Sequence, residues 1–277
     1  MGPRSHWKCL HQVRRHYTVA DGLARASHLM LSSSNARAKL RELARVLGLA
    51  RTADLGDAAL GTPVACSKSS WVRRVRIASE DYYIKTYDYP TLRSRWRGAL
   101  RNTGPLTSSR AAREADALSW LRSRGFAGPK VAYWEEIRIL GFLRRAILVT
   151  AAFPGQPLDA VLAVANTSDR AAIGSALGRF VARLHHCGFR DGNLDLRNLL
   201  LHDDRSILTV AKIDSPKFRV VRRGPSDDRL TRADWARLLP QLECLRMAGL
   251  VRAAAEEWAA NSPESLDPRH RLGGRAE

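Results

Sequence analysis

The sequence predicts an α+β fold of two lobes, in which a small antiparallel sheet is followed by a mainly helical part. Between about residues 64 and 153, short runs rich in aromatic and β-branched residues are separated by turn residues, which is typical of antiparallel strands. Beyond that point, apolar residues recur every three or four positions, as they do on one face of a helix. At 277 residues the chain is long enough to bury a sizeable core.

The chain is strongly basic. Its 46 lysines and arginines outnumber 27 acidic residues, which gives a formal net charge of +19 at pH 7. Such a charge favours an anionic partner, namely a nucleic acid, an acidic lipid surface or a phosphorylated small molecule. The alternative is the background composition of an arginine-rich proteome, because net charge concerns association rather than fold.

Cysteine spacing and hydropathy bear on the cellular compartment. The four cysteines form no C-x-x-C pair, so we expect neither a zinc site nor a disulfide framework, and a reducing compartment fits. The N-terminal residues lack an apolar run of signal-peptide length, and no segment approaches the ~18 apolar residues of a membrane span. We therefore expect a cytoplasmic protein, and a position on a membrane face is left open.

Residues 1–60 are predicted to form a helical extension, and partial disorder of this segment is left open. Within it, Ala36–Ala50 has leucines at helical spacing, which predicts a short amphipathic helix. Glycine and proline in the stretch ADLGDAALGTP mark a boundary. We expect an N-terminal lobe over residues 61–153 and a C-terminal lobe over residues 154–277.

The N-terminal lobe is predicted to contain four strands and one long helix. Trp71–Ile77 and Asp81–Tyr89 form a hairpin, because both are rich in β-branched and aromatic residues. The helix begins at the serines of SSRAAREADALSWLRSRG and ends at Gly125. Two more strands, KVAYWEEI and RRAILVTAAF, are joined by a turn near RILGF.

The C-terminal lobe is predicted to begin with a helix in PLDAVLA. A long amphipathic helix follows and ends at Gly188, with Ile173, Leu177 and Leu184 on its apolar face. The short strands NLLLH and SILTVAKID come next. Two further helices, interrupted or offset at Pro240, complete the lobe.

Charged residues within these elements predict a site for phosphates. Lys85 lies in a strand and Glu114 in the helix that follows, so the lysine could neutralise phosphates while the glutamate fixes its position. Asp214 ends an apolar strand sixteen residues after Asn198, and carboxylate and amide oxygens suit a hard cation. Each residue alone has an ordinary explanation as a surface charge or a turn. Their order along the chain carries the prediction.

The segment HHCGFRDGNLDLRNLLL, residues 185–201, lies between the lysine strand and the aspartate strand. It is similar to the catalytic loop of kinases, H-R-D-L-x-x-x-N, whose aspartate accepts the proton of the substrate hydroxyl and whose asparagine holds a metal. If Asn198 is that asparagine, Asn193 occupies the aspartate position and Asp191 the histidine position.

Over about residues 64–240 the chain resembles the lipopolysaccharide kinase (Kdo/WaaP) family, within the protein-kinase-like fold. The resemblance rests on the segments YYIKTYDYP, READALSWLRSRGFAGPKVAYW, ILVTAAFPGQPLDAVL, LGRFVARLHHCGFRDGNLDLRNLLL, KIDSPKFRV and RADWARLL. It implies a bacterial protein on the cytoplasmic side of the inner membrane, peripheral to it if it touches it, which uses ATP to phosphorylate core sugars of lipopolysaccharide.

The resemblance also implies roles for individual residues. Lys85 would bind the phosphates of ATP, and Glu114 would pair with it. Asn198 and Asp214 would hold Mg²⁺, and Asp234 would match a late aspartate with a structural role. ATP, Mg²⁺ and an anionic sugar or glycolipid acceptor are the implied cofactors and partners.

The catalytic loop departs from the family pattern, which leaves catalysis itself open. Asn193 has no carboxylate and cannot take a proton, and ACSKSSWVRRV, before the Lys85 strand, contains serines but no glycine. One account is a pseudokinase, in which phosphoryl transfer is lost. In a second, Asp191 or Asp195 supplies the carboxylate, and transfer continues because positioning and electrostatics dominate its catalysis. In the third, both aspartates merely solvate a loop.

The basic segment TLRSRWRGALR offers a further clue. Arg93, Arg95, Arg97 and Arg101 surround Trp96, and arginine with tryptophan suits a phosphorylated lipid surface. The alternative is a solvated basic loop with one packed tryptophan.

Three other functions compete with that of a lipopolysaccharide kinase. A kinase-shaped scaffold would use its basic surface to bind a membrane or a protein without catalysis. An aminoglycoside phosphotransferase, or another small-molecule phosphotransferase, would share the fold and a similar loop. A nucleic-acid-binding protein is not favoured, because the sequence has no helix-turn-helix signal, zinc spacing or basic-aromatic sheet motif.

Overall fold

The structure is a computed structural model that describes residues 60–77, 79–100, 107–204, 207–221 and 228–261. The helix predicted at Ala36–Ala50, like the rest of the N-terminal extension up to residue 59, lies outside the described residues. The chain divides into two compact units. The first comprises the described residues up to Asp116 together with Lys130–Ala152, and the second comprises Ala117–Pro129 together with the described residues from Phe153 onward.

The first unit is built on an antiparallel sheet, as predicted, and the sheet has five strands where four were predicted. Its strands are β1 (Thr62–Cys66), β2 (Ser70–Ile77), β3 (Glu80–Asp88), β4 (Val131–Ile139) and β5 (Phe142–Ala151). They lie in the order β1-β2-β3-β5-β4, so β3 is central and pairs with β2 and β5. The strand β1 was not predicted, because its residues TPVAC are all exposed and show no alternation.

Two helices accompany this sheet, α1 (Leu92–Gly98) and α2 (Arg110–Ser123). The basic segment after β3 is the helix α1 rather than a loop. Thr91 and Ser94 make a reciprocal capping box at its start, which satisfies backbone N–H groups that would otherwise lack partners. The helix α2 confirms the prediction, and Ser109 caps its start, because the Ser109 hydroxyl accepts the N–H of Ala112 at 3.1 Å.

The strand alternation of β3 places neighbouring side chains on opposite faces of the sheet. Ile84 packs on one face with Val75, Tyr133, Ile147 and Val149. Tyr87 packs on the other face with Ala111 and Ala115 of α2 and with Leu143, Ala146 and Leu148. Lys85 has the same parity as Tyr87, so it lies on the face that α2 covers.

The second unit is mainly helical, as predicted. Its elements are β6 (Gln156–Pro157), α3 (Leu158–Val164), α4 (Thr167–His186), β7 (Phe189–Arg190), a 3₁₀ turn (Leu196–Asn198), β8 (Leu199–Asp204), β9 (Ile207–Lys212), β10 (Arg219–Val220), α5 (Arg229–Cys244) and α6 (Ala248–Asn261). The strands form two small antiparallel sheets, β6-β8-β9 and β7-β10. Across the described part of the chain, no helix combines the length and apolar character that crossing a bilayer requires.

The helix α4 runs through the core of the second unit. Asn166 caps its start by accepting the N–H of Asp169 at 2.9 Å. Its apolar face, which includes the predicted Ile173, Leu177 and Leu184, is buried in the main apolar cluster of this unit. Burial of that continuous face holds the helix in place, because single helices gain most of their stability from packing.

The prediction that Pro240 interrupts the C-terminal helices is wrong. Pro240 lies inside α5, which continues to Cys244, and buried Leu238 and Leu242 flank it. The interruption comes after Cys244, where Arg246 adopts a positive φ of 56°. A proline removes one hydrogen bond from a helix interior, and the burial of its neighbours offsets that loss.

The contact between α4 and α6 yields a stability prediction. A Cβ atom at Gly178 would overlap the carbonyl oxygen of Val251 and approach the Cβ atom of Ala254 to 2.7 Å. Because α6 would have to shift, Gly178→Ala is expected to lower the free energy of unfolding by about 1–3 kcal/mol, measured by urea denaturation.

Gly249→Ala is the matched control, because a Cβ atom there meets nothing within 4 Å. Alanine is the better helix former, so this variant is expected to be neutral or more stable by up to about 1 kcal/mol. Equal losses in the two variants would contradict the proposed close approach of the helices.

Candidate functional site

In the first unit, Lys85 and Glu114 form an ion pair. The Lys85 ammonium donates to Oε2 of Glu114 at 2.7 Å, and both side chains are largely buried. The strand β3 fixes the lysine between two neighbouring strands, and α2 fixes the glutamate, whose neighbours Ala111 and Ala115 pack on the same face of the sheet. The geometry brings together the two residues that the sequence predicts as a phosphate-binding pair.

The turn between β1 and β2 takes the place of a glycine-rich loop. The N–H of Ser67 donates to the carbonyl oxygen of Ser70 at 2.7 Å, and the two hydroxyl groups lie 2.7 Å apart. Lys68 at the tip is exposed. This turn is therefore closed by its serines, as a short hairpin, without needing glycine.

In the second unit, Asp234 anchors the loop that follows β7. Its carboxylate accepts the backbone N–H of Asp191 at 2.9 Å and that of Gly192 at 2.8 Å. His185 Nε2 lies 3.2 Å from the same carboxylate, and both side chains are buried. Asp234 thus fixes the backbone on the N-terminal side of Asn193, which agrees with the structural role that the resemblance implies for it.

Asn193, Asn198 and Asp214 form a second group in this unit. The amide of Asn193 donates to the backbone oxygen of Asp214 at 2.8 Å and to its Oδ2 at 3.2 Å. The amide of Asn198 donates to the backbone oxygen of Asn193 at 3.1 Å, and the Asn198 carbonyl accepts the N–H of Ile213 at 2.9 Å. Asp214 has a positive φ of 56°, which aspartate tolerates better than most residues. The three predicted residues therefore lie together.

This donor set fits Mg²⁺. The Asp214 carboxylate and the Asn198 carboxamide offer hard oxygen atoms, and Mg²⁺ usually takes one or two protein ligands and completes its shell with phosphates and water. Among the described residues, no group of three or more histidine, cysteine, aspartate or glutamate side chains could hold a metal.

Asp191 is completely buried, which the sequence did not indicate. Its Oδ2 lies 3.3 Å from the ammonium of Lys212, whose side chain is also fully buried. Burial raises the pKa of the Asp191 carboxyl above its ordinary value, and the Lys212 ammonium and the Ser215 hydroxyl oppose that rise. A carboxylate enclosed in this way has no solvent-facing surface at which to meet a substrate hydroxyl.

Asp195 lies at the start of the 3₁₀ turn. Its Oδ1 accepts the N–H of Arg197 at 3.3 Å, and its Oδ2 lies 3.4 Å from Arg197 Nε and 3.6 Å from a guanidinium nitrogen of Arg237. Only 16% of the side chain is exposed. The carboxylate therefore caps the turn between two arginines.

Arg190, next to this loop, was not predicted to have a role. Its guanidinium is buried, donates to Asp228 Oδ2 at 2.8 Å and to the His185 carbonyl at 2.7 Å, and so ties β7 to the first turn of α5. This guanidinium holds the pKa of the Asp228 carboxyl well below its ordinary value, with help from the N–H groups of Thr231 and Leu230. An arginine after a buried phenylalanine gave no sequence signal, since arginine is rarely buried.

The sequence of the chain matches one protein family. The model of the lipopolysaccharide kinase (Kdo/WaaP) family matches residues 68–257, which is more than half of the chain. No curated protein sequence matches it.

The solved structures that are similar to this one include two kinase-like proteins. A structure of WaaP in complex with acyl carrier protein has 16% identity and a TM-score of 0.56, with 83% of this chain and 94% of that chain covered. The Rio2 kinase-ADP/Mg²⁺-phosphoaspartate complex from Chaetomium thermophilum has 15% identity and a TM-score of 0.50, with 88% and 79% covered. These likenesses confirm the predicted two-lobed, protein-kinase-like fold.

The buried pair of Asp191 and Lys212 yields a second prediction. Removal of one partner leaves an uncompensated buried charge, so Asp191→Asn and Lys212→Met are each expected to lower the free energy of unfolding by about 3–5 kcal/mol. The double variant is expected to lose less than the sum of the two, because neither charge remains. Urea denaturation of the four proteins measures this coupling.

Glu256→Ala, at an exposed position of α6, is the control and should change the free energy of unfolding by less than about 0.5 kcal/mol. Strictly additive losses in the double variant would show that the two charges do not interact.

Proposed function

Because the chain belongs to the lipopolysaccharide kinase (Kdo/WaaP) family, we propose that it transfers the γ-phosphoryl group of ATP to a hydroxyl of an envelope sugar or glycolipid. In this proposal, residues 61–153 form the N-terminal lobe, which binds nucleotide, and residues 154–277 form the C-terminal lobe with the catalytic loop. The acceptor would be anionic, in keeping with the net charge of +19.

The ion pair of Lys85 and Glu114 is the observation that carries the proposal. A lysine held at 2.7 Å by a largely buried glutamate has few alternative rotamers, so its ammonium is oriented before a ligand arrives. Preorganised charge of this kind suits polyphosphate, because no side-chain ordering remains to be done on binding. Lys85 would bind the phosphates, and Glu114 would act through Lys85 by positioning it.

Asp214 and Asn198 would hold Mg²⁺ in this proposal. The ion would supply positive charge between the phosphates of ATP. Asn193 would orient Asp214, because its amide donates to both the backbone and the side-chain oxygen of that residue. Asp234 would position the loop through the N–H groups of Asp191 and Gly192.

A glycolipid acceptor would be met at the inner face of the bacterial inner membrane. We therefore propose a cytoplasmic protein that makes peripheral contact with that membrane. The net charge supports this location, since anionic lipids attract basic proteins.

A catalytically impaired kinase is the second candidate, and the catalytic loop favours it. Asn193 carries an amide where the kinase pattern has its proton acceptor. Asp191 is enclosed with Lys212, and Asp195 is engaged by Arg197 and Arg237. Such a protein would retain the nucleotide site and serve as a scaffold for a membrane or a protein partner.

Calorimetric titration of ATP, with and without Mg²⁺, tests the nucleotide site. The wild-type chain is expected to bind ATP more tightly with Mg²⁺. Lys85→Met keeps the side-chain length but removes the charge, so it is expected to weaken binding roughly 10- to 100-fold, the worth of one charged hydrogen bond.

Lys130→Met is the matched control, because Lys130 is exposed at the start of β4, and it should bind ATP like the wild type. Circular dichroism establishes that both variants are folded. Undetectable binding of ATP by the wild type at millimolar concentration would remove the proposed function and leave a kinase-shaped scaffold.

Restoring the carboxylate tests which candidate is right. Asn193→Asp supplies a proton acceptor at the kinase position, so transfer of phosphate from radiolabelled ATP to lipopolysaccharide core is expected to rise on the order of 10²-fold. Transfer should depend more steeply on the concentration of Mg²⁺. The new carboxylate would lie near that of Asp214 and repel it, whereas the amide of Asn193 donates a hydrogen bond to it.

Asn193→Ala and Asp195→Ala complete the comparison. Asn193→Ala should weaken ATP binding in the presence of Mg²⁺, since Asp214 loses its donor, while Asp195→Ala should leave transfer within a few-fold. Measurable wild-type transfer that Asp195→Ala abolishes would contradict these roles and identify Asp195 as a relocated acid. Transfer gained only with Asn193→Asp would favour the impaired kinase.

A further inference from the structure

Exposed apolar side chains of the first unit gather at α1 and at the turn between β4 and β5. Leu140, at the tip of the turn, is 89% exposed, and Leu100, Leu92 and Trp96 are 82%, 68% and 60% exposed. Large apolar residues so exposed in one region are uncommon on a soluble surface and indicate an interaction site. We name these four residues, with Arg93 and Arg97, the α1 patch.

The helix α1 turns its large apolar side chains to solvent, whereas an ordinary surface helix turns them to the core. Leu92 and Trp96 are four residues apart, so they share one face of the helix, and that face is exposed. Leu100, two residues after the end of α1, is exposed as well. The buried residue of the helix is Gly98, which lies on the other side. A surface helix normally turns its apolar stripe to the core, so this stripe is available to something outside the chain.

The helix and the β4–β5 turn form one surface. The Trp96 ring lies 5.4 Å from the ring of Phe142, the first residue of β5 and two positions from Leu140. The turn is tight, with positive φ at Leu140 and Gly141. Its apolar tip and the apolar stripe of α1 therefore belong to adjacent elements that pack together.

Positive charge borders the stripe. Arg93 and Arg97 are exposed and follow Leu92 and Trp96 by one position, and α1 contains no acidic residue. Arg95 differs, because its guanidinium donates to the carbonyl oxygens of Tyr89 and Pro90 and so supports the start of the helix. Of the four arginines singled out in the sequence, Arg101 lies outside the described residues.

We propose that the α1 patch docks the protein on an anionic lipid bilayer. Trp96 would lie at the level of the headgroups, the leucines would enter the boundary of the acyl chains, and Arg93 and Arg97 would contact lipid phosphates. The combination argues for a bilayer, because an apolar stripe alone would suit any apolar partner and arginines alone any anion. This inference names the surface for the membrane contact of the proposed function.

Sedimentation of the full chain with vesicles tests the docking surface. We expect the wild type to sediment with vesicles of 30% phosphatidylglycerol in phosphatidylcholine, and much less with phosphatidylcholine alone. Leu92→Ser with Trp96→Ser should weaken binding on the order of ten-fold or more, since both apolar contacts are lost. Arg93→Glu with Arg97→Glu should weaken it at least as much at low salt, because each arginine contributes roughly five-fold.

Val164→Ser and Arg252→Glu are matched controls, since both residues are exposed in the second unit. Both should sediment like the wild type. All variants are also titrated with ATP and Mg²⁺, so loss of vesicle binding with ATP binding retained separates the docking surface from the nucleotide site. Vesicle binding that depends on the α1 patch supports the inference even if ATP does not bind.

Two outcomes overturn the proposal. If the α1 patch variants sediment as fully as the wild type, basic charge elsewhere on the chain carries the binding. If the wild type itself does not sediment with the anionic vesicles, the α1 patch does not bind a bilayer, and an acidic protein becomes the partner to test.

Discussion

The buried carboxylate of Asp234 is the constraint on which the loop after β7 depends. A carboxylate that is 1% exposed is strongly destabilising unless hydrogen bonds replace its lost water. Here the N–H groups of Asp191 and Gly192 and the ring of His185 replace it. Because the donors of Asp191 and Gly192 are backbone N–H groups, Asp234 fixes the path of the chain there, whatever side chains these positions carry. Gly192 adopts a positive φ of 63° in this loop. Asn193 follows it, and its side-chain amide donates to Asp214.

A fixed backbone decides where the charges of the loop must lie. The side chain at position 191 is enclosed, so an aspartate there requires a buried cation, and Lys212 at the end of β9 supplies it. Arg190 is enclosed for the same reason and is compensated by Asp228 at the start of α5. Each buried charge of the loop therefore has a partner of opposite charge, and removal of either member of a pair would leave the other without compensation.

Local signals in the sequence were enough to predict most of the architecture. Lys85 and Glu114 could be paired in advance, because strand alternation and helical period each fix the direction of a side chain and both lie in regular elements. The partnership of Asp191 with Lys212 could not, because it depends on a loop residue meeting the end of the strand β9 in space. A lysine inside the apolar run VAKID is the one signal that could have suggested it. The predicted helix break at Pro240 was wrong for a related reason. Burial of the neighbouring side chains, which depends on tertiary packing, outweighs the tendency of proline to break a helix.

The amide of Asn193 has a structural role that a carboxylate at the same position could not have. A carboxylate there would take a proton but would also repel Asp214, and only a metal could hold the two together. An amide donates to Asp214 instead and keeps it in place before any ion arrives. Phosphoryl transfer passes through a loose transition state in which positioned charge matters more than an early proton transfer. In the proposed function, such a loop would favour firm binding of nucleotide and Mg²⁺ over rapid turnover, which is the balance expected of a slow kinase or of a scaffold.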